Sequence, residues 1–234
     1  ALESATYLTT GLADARTADY SVESAICKIM GSEVLMRVAD EAVQIAAGAG
    51  YSERLPFERF LRDARVNPIF YGTSEILRCF VAMAGMQGAT RDVLSVGRAV
   101  REPLKALGIL SELATRKAKS ALSRQTPRVS RASALLNRER DVLESYTDAL
   151  ASHVDRALRR HGRNLSEMQY TQRRVADMLT ELYALSACIA RTTRAVEERG
   201  EEGARRELTL THIYGGIAEK RLAATTAGFD ANDD

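Results

Sequence analysis

Residues 61–78 read Leu61-Arg62-Asp63-Ala64-Arg65-Val66-Asn67-Pro68-Ile69-Phe70-Tyr71-Gly72-Thr73-Ser74-Glu75-Ile76-Leu77-Arg78. Pro68 disfavours a helical Asn67 and marks the approach to a new element. Thr73 or Ser74 caps a helix that Ile76, Leu77, Phe80 and Val81 carry to about residue 86. The segment therefore predicts a loop with a short helix near 57–62, then a turn that opens directly onto a capped helix.

Upstream, apolar spacing predicts a long helix over 21–46. Its stripe comprises Val22, Ala25, Ile26, Ile29, Leu35, Val38 and Ala42, with Val43 and Ile45 at the end. Gly48-Ala49-Gly50 should stop it. Leu2, Ala5, Leu8, Thr9 and Leu12 form an earlier stripe with no Met and no capping residue before it, as expected of a chain that opens inside a domain. Downstream, 93–124 reads as one or two helices broken near Pro103, and 125–130 as an exposed loop. Three antiparallel helices follow over 133–162, 166–200 and 202–224, with turns at 161–164 and 199–203 and a frayed end at 230–234. No stretch longer than four residues reads as strand. The fold class is all-α, as two adjoining helical bundles. Three regions are expected: a helical domain over 1–90, basic connector helices over 91–131, and a further helical domain over 132–234.

Ala, Leu, Glu and Arg outweigh Val, Ile, Phe and Tyr, which agrees with helices. No apolar run approaches the roughly 20 residues that span a bilayer. Cys27, Cys79 and Cys188 are widely spaced within apolar helical patterns and read as reduced core residues of a cytosolic or matrix protein. They show no metal-ligand spacing, and His153, His161 and His212 read as surface or satisfied histidines. The net charge of +2 conceals a division. Residues 1–90 carry 8 basic and 11 acidic side chains, 91–140 carry 12 and 4, and 141–234 carry 13 and 16. So local an excess does not predict nucleic-acid binding, although it suits an anionic surface.

Residues 61–78 closely resemble the active-site segment of the flavin-dependent acyl-CoA dehydrogenases, roughly L-R-D-x-R-x-x-x-I-x-E-G-T-x-x-I-L/Q-R. A second element, Gln44-Ile45-Ala46-Ala47-Gly48-Ala49-Gly50-Tyr51, is similar to the family's Q-I-x-G-G-x-G-Y/F, with Ala47 in place of its first Gly. The resemblance extends through the final 100 residues, where the chain is most similar to the very-long-chain enzymes and their paralogue used in respiratory complex I assembly. It covers the C-terminal part of the family's domain plan and implies an all-α C-terminal bundle followed by a second bundle.

The resemblance implies FAD as cofactor. Gln44, Ile45, Ala46, Ala47 and Gly48 match positions that contact the flavin dinucleotide of a neighbouring subunit. Thr73 and Glu75 match contacts to a subunit's own cofactor, and Gly72 a substrate contact. Small residues at 46–50 suit close backbone approach to a cofactor. The plainer alternative is that Gly48 and Gly50 end a helix and Thr73 caps one. Ala47 adds only a methyl, acceptable if its backbone does not require positive φ. The family's usual base, a Glu, is replaced by Tyr71. Abstraction of an α-proton needs a positioned base with a pKa near the working pH, whereas tyrosine ordinarily titrates near 10. Tyr71 is therefore expected to be a packing residue in a degenerate site, and no catalytic residue is assigned.

The favoured expectation is a dehydrogenase-derived pseudoenzyme with a structural or assembly role. The alternatives are a fragment or split subunit of an FAD-dependent long-chain enzyme of fatty-acid oxidation, or a membrane-surface module. The partners expected are protein subunits, as a homodimer or a larger hetero-assembly, with residues 104–131 available to a membrane surface. The implied location is the mitochondrial matrix or inner-membrane surface in a eukaryote and the cytoplasm in a bacterium.

Overall fold

The computed structural model describes residues 1–16, 19–86, 129 and 131–231. The basic connector, and the interaction surface expected over 104–131, lie outside the described residues apart from Val129 and Arg131. The chain divides into two compact units, Ala1–Val81 and Ala82–Asp234. No strand occurs among the described residues, and no described helix is long and apolar enough to cross a membrane.

The first unit begins with α1 (Leu2–Ala15) and α2 (Ser21–Tyr51), continues with α3 (Phe57–Arg65), and contains the start of α4 (Ser74–Gly85). α1 buries Ala5 and Thr9. The Thr9 hydroxyl donates to the Ala5 carbonyl at 2.9 Å and lies 3.1 Å from Cys27 Sγ on α2. α2 in turn buries Ala25, Ile26, Ile29, Ser32 and Ala39. Of the rest of its expected stripe, Val22, Ala42 and Val43 are half-buried, whereas Leu35, Val38 and Ile45 are 46%, 60% and 83% exposed. Spacings of three and four residues place Leu35, Val38, Ala42 and Ile45 on a second face, distinct from the buried one. Cys27 and Cys79 are half-buried and only Cys188 is buried, so the expectation of three core thiols holds for one.

The second unit is an antiparallel bundle of α5 (Asn137–His161), α6 (Gln169–Gly203) and α7 (Arg205–Ala231). Short 3₁₀ turns at Ala134–Leu136 and Gly162–Glu167 precede α5 and α6. α6 and α7 run past their expected ends. α6 continues beyond a break at Gly200 (φ 70°), and α7 extends through Ala231. Leu136, Val175, Met178, Leu185 and Leu222 are at most 1% exposed, each stabilising the bundle by about 1.5–3 kcal/mol relative to exposure. Some buried polar groups meet partners across helices. Thr192 and Thr211 share a hydrogen bond at 2.8 Å, and His153 stacks on Phe229 with ring centres 4.4 Å apart.

Glu181 on α6 accepts from Tyr214 Oη at 2.8 Å and Arg221 Nη1 at 2.7 Å, both on α7. Burial, then the Glu181 charge, pushes the Tyr214 phenol far above its ordinary value. The folded chain thus keeps a proton that the unfolded chain releases near pH 10. Above that pH the unfolded state binds fewer protons, so stability falls as pH rises. Between pH 10 and 11 the unmodified chain should lose about 1 kcal/mol more than Tyr214→Phe. Urea unfolding midpoints at pH 9, 10 and 11 measure this, and parallel losses in the two proteins would refute it.

Candidate functional site

The two signature segments lie in the first unit. α2 is broken at Ala47, whose φ of 51° and ψ of −138° fall where a Cβ is strained, and helical hydrogen bonding resumes beyond it. Ser52 N–H reaches the Gly48 carbonyl at 3.2 Å. The glycines therefore do not stop the helix at 48–50; the break falls on the alanine before them. Gly50 answers a different demand, because a Cβ there would lie 2.7 Å from Ala46 Cβ and 2.8 Å from the Val43 carbonyl. Gln44, Ile45, Ala47 and Gly48 are exposed and Ala46 is half-buried. A Cβ added at Gly48 would meet nothing within 4 Å, so the backbone there is open to a ligand.

The condition for an unstrained Ala47 is thus not met. Non-glycine residues in such conformations cost on the order of 1–3 kcal/mol. Ala47→Gly should raise stability by about 1 kcal/mol after the entropy of a freer unfolded chain is subtracted, a gain of about 2–4 °C in melting temperature for a chain of this size. A lower melting temperature would show that Ala47 is unstrained.

Around Tyr71 the chain folds back on itself. Asn67 Nδ2 donates to the carbonyls of Asp63 and Ala64 at the end of α3. Ser74 N–H bonds the Pro68 carbonyl at 3.0 Å, closing the loop. Tyr71 (φ 53°) and Gly72 (φ 90°) are both left-handed and make the turn. Thr73 Oγ1 accepts from Ile76 N–H at 3.3 Å, so Thr73 rather than Ser74 is the cap. The Ser74 hydroxyl is buried and has no hydrogen-bond partner among the described residues. Glu75 is exposed in the first turn of α4.

Tyr71 is not the packing residue expected. It is 87% exposed, with its ring centre 4.8 Å from that of Phe70. The left-handed turn leaves the side chain facing solvent.

Two side chains that sequence reasoning missed hold this turn. Lys28 Nζ on α2 donates to the Gly72 carbonyl at 2.6 Å. Arg78 on α4 makes a two-pronged bridge to Glu33 on α2, at 2.7 and 3.0 Å. The only hint was that Lys28 is the sole lysine among residues 1–104. Lys28 also gives the layout a scale. From Lys28 to Gln44 the helix advances about 24 Å at 1.5 Å per residue. The structure therefore does not gather Gln44–Gly48 and Tyr71–Glu75 into one cluster; they sit toward opposite ends of α2. Among the described residues no group of His, Cys, Asp and Glu could hold a metal ion.

The family profile described as Acyl-CoA dehydrogenase, C-terminal domain, matches residues 1–86. That described as ACAD9/ACADV, C-terminal domain, matches residues 129–233. The chain belongs to the acyl-CoA dehydrogenase family, as a C-terminal part. It is 33% identical to the human mitochondrial very long-chain specific acyl-CoA dehydrogenase over 98% of this chain and 35% of that protein. It is 49% identical to the short-chain specific acyl-CoA dehydrogenase of Megasphaera elsdenii over 57 residues, 24% of this chain and 15% of that one. A crystal structure of an acyl-CoA dehydrogenase complexed with FAD from Bacillus anthracis has the same fold, with a TM-score of 0.76 at 24% identity. It matches all of this chain over 40% of its own length. The chain thus spans about a third of the length of the very long-chain relatives.

Within this acyl-CoA dehydrogenase region, the geometry tests the cofactor contacts. Gln44, Ile45, Ala47 and Gly48 are exposed and the space beside Gly48 is open, which is compatible with the edge of a dinucleotide. The Thr73 hydroxyl oxygen already accepts a helix amide but keeps its proton to donate. The residues present fit the group at two separate places, each supplying only part of a site.

Proposed function

We propose that this chain is a structural subunit or region derived from an acyl-CoA dehydrogenase, without a working base at position 71. The observation that supports this reading is a well-formed left-handed turn that bears a phenol where the resemblance implies a carboxylate base. The left-handed pair Tyr71-Gly72, the Thr73 cap and the Lys28 anchor are all in place, and a phenol stands where the family has a carboxylate. FAD, when bound, would accept the hydride lost from the acyl chain. Here Gln44–Gly48 would line a flavin belonging to a neighbouring subunit, and Thr73 and Glu75 would line the subunit's own. The roughly 24 Å between Lys28 and Gln44 along α2 supports assigning these segments to different flavins. Gly72 would border the acyl thioester.

The open face of α2, with Leu35, Val38 and Ile45 facing solvent, supports a protein partner in the working assembly, either a second copy or another polypeptide. A mitochondrial setting follows the names of the very long-chain relatives if the source is eukaryotic. The second reading is a segment of an active long-chain dehydrogenase whose base lies outside these residues. The chain's coverage of only 35% of its very long-chain relatives favours it. The deciding experiment is acyl-CoA oxidation by the protein in its native assembly, before and after Tyr71→Glu.

A further inference from the structure

α7 is apolar on two sides. One face packs in the bundle through Leu208, Thr211, Ala218 and Leu222. The opposite face carries Leu210, Ile213 and Ile217, which are 55%, 57% and 41% exposed. Spacings of three and four residues align these three with Arg206 before them and Lys220 after them. Exposed apolar strips rimmed by polar residues mark interaction surfaces.

The charge along this strip has one sign. The helix's Glu207 is taken by Arg199 at 2.8 Å and its Glu219 by Arg138 at 2.9 Å. Arg206 and Lys220 are exposed and form no ion pair among the described residues. They stand about 21 Å apart along the helix.

We propose that the outer face of α7 docks a helix of a different polypeptide, apolar at its centre and carrying carboxylates near both ends. A second copy of this chain is electrostatically mismatched. Antiparallel pairing about Ile213 sets Arg206 against the partner copy's Lys220, and parallel pairing sets each cation against its own equivalent. Residues 91–128, with 9 basic and 3 acidic side chains, have the wrong sign as well. A lipid surface fits less well than a helix. The strip has no aromatic side chain to sit at a headgroup boundary. A Cβ added at Gly216 would meet only open space, which leaves a notch beside Ile213 and Ile217 for a side-chain ridge.

Zero-length carbodiimide coupling of the native assembly tests this, with coupled peptides identified by mass spectrometry. The expected product joins the Lys220 amine to an Asp or Glu of another polypeptide. Ile213→Asp keeps the amine but spoils the apolar centre, and should cut the yield at least tenfold. Both residues are exposed, so the fold should survive, which circular dichroism verifies. The proposal is overturned if Lys220 couples only within its own chain or to a second copy. It is also overturned if Ile213→Asp leaves the yield unchanged. Co-sedimentation with phosphatidylglycerol vesicles that is lost on Ile213→Asp, with no coupling to another polypeptide, would assign the face to lipid instead.

Discussion

In its native assembly the unmodified protein should oxidise acyl-CoA thioesters on the order of 10²–10⁴-fold more slowly than the same assembly carrying Tyr71→Glu. That range is what a positioned general base ordinarily contributes. A phenol lacks the charge needed for α-proton abstraction near neutral pH. The turn that would aim a carboxylate is already built, because Gly72 is held by Lys28 and the next helix is capped by Thr73. The substitution therefore asks for a change of side chain and not of backbone. Its cost to stability should be small. The sequence leads one to expect a packing residue here, but Tyr71 is 87% exposed. The change in unfolding free energy should then stay within about 0.5 kcal/mol. Dye-linked oxidation assays and urea melts on the same preparations measure both quantities. Turnover by the unmodified protein equal to that of the variant would place the base elsewhere and overturn the structural reading.

The second large effect is expected in the other unit. Glu139 on α5 is 1% exposed, and its Oε1 lies 2.9 Å from Nδ1 of His212 on α7. Its Oε2 is buried and has no hydrogen-bond partner among the described residues. Gly215 makes the approach possible, since a Cβ there would lie 2.8 Å from Glu139 Cγ. His212→Ala removes the partner and leaves a buried carboxylate. Breaking a fully buried pair costs about 3–5 kcal/mol. The His212 side chain is 48% exposed, so water can partly replace it and the expected loss is roughly 2–3 kcal/mol. Glu139→Met together with His212→Ala should return most of that loss, because the pair's stabilisation is largely offset by its desolvation. Urea unfolding of the two variants checks this. A double variant as unstable as His212→Ala would show that the carboxylate contributes more than its own desolvation cost.

The local features of this protein were legible in its sequence. Helical spacing of apolar residues exposed the all-α class, and residue type narrowed the cap to Thr73 or Ser74, between which only the structure chose. The two signature segments marked the family, since each is a contiguous run whose residue types suit one turn. What sequence could not supply was set by contacts between residues far apart in the chain. α2 carries two apolar faces, and only its packing with α1 and α3 decided that Ile26 and Ile29 are core while Leu35, Val38 and Ile45 are open. Spacing of this kind ranks faces by hydrophobicity and says nothing of which one finds a neighbour. Lys28 lies 44 residues from Gly72 and Glu139 lies 73 from His212, so neither pairing leaves a periodic trace. The strain at Ala47 and the outward throw of Tyr71 are backbone facts of the same kind. An alanine or a tyrosine does not announce a positive φ, because that conformation opposes its own preference and persists only where the surrounding fold holds it.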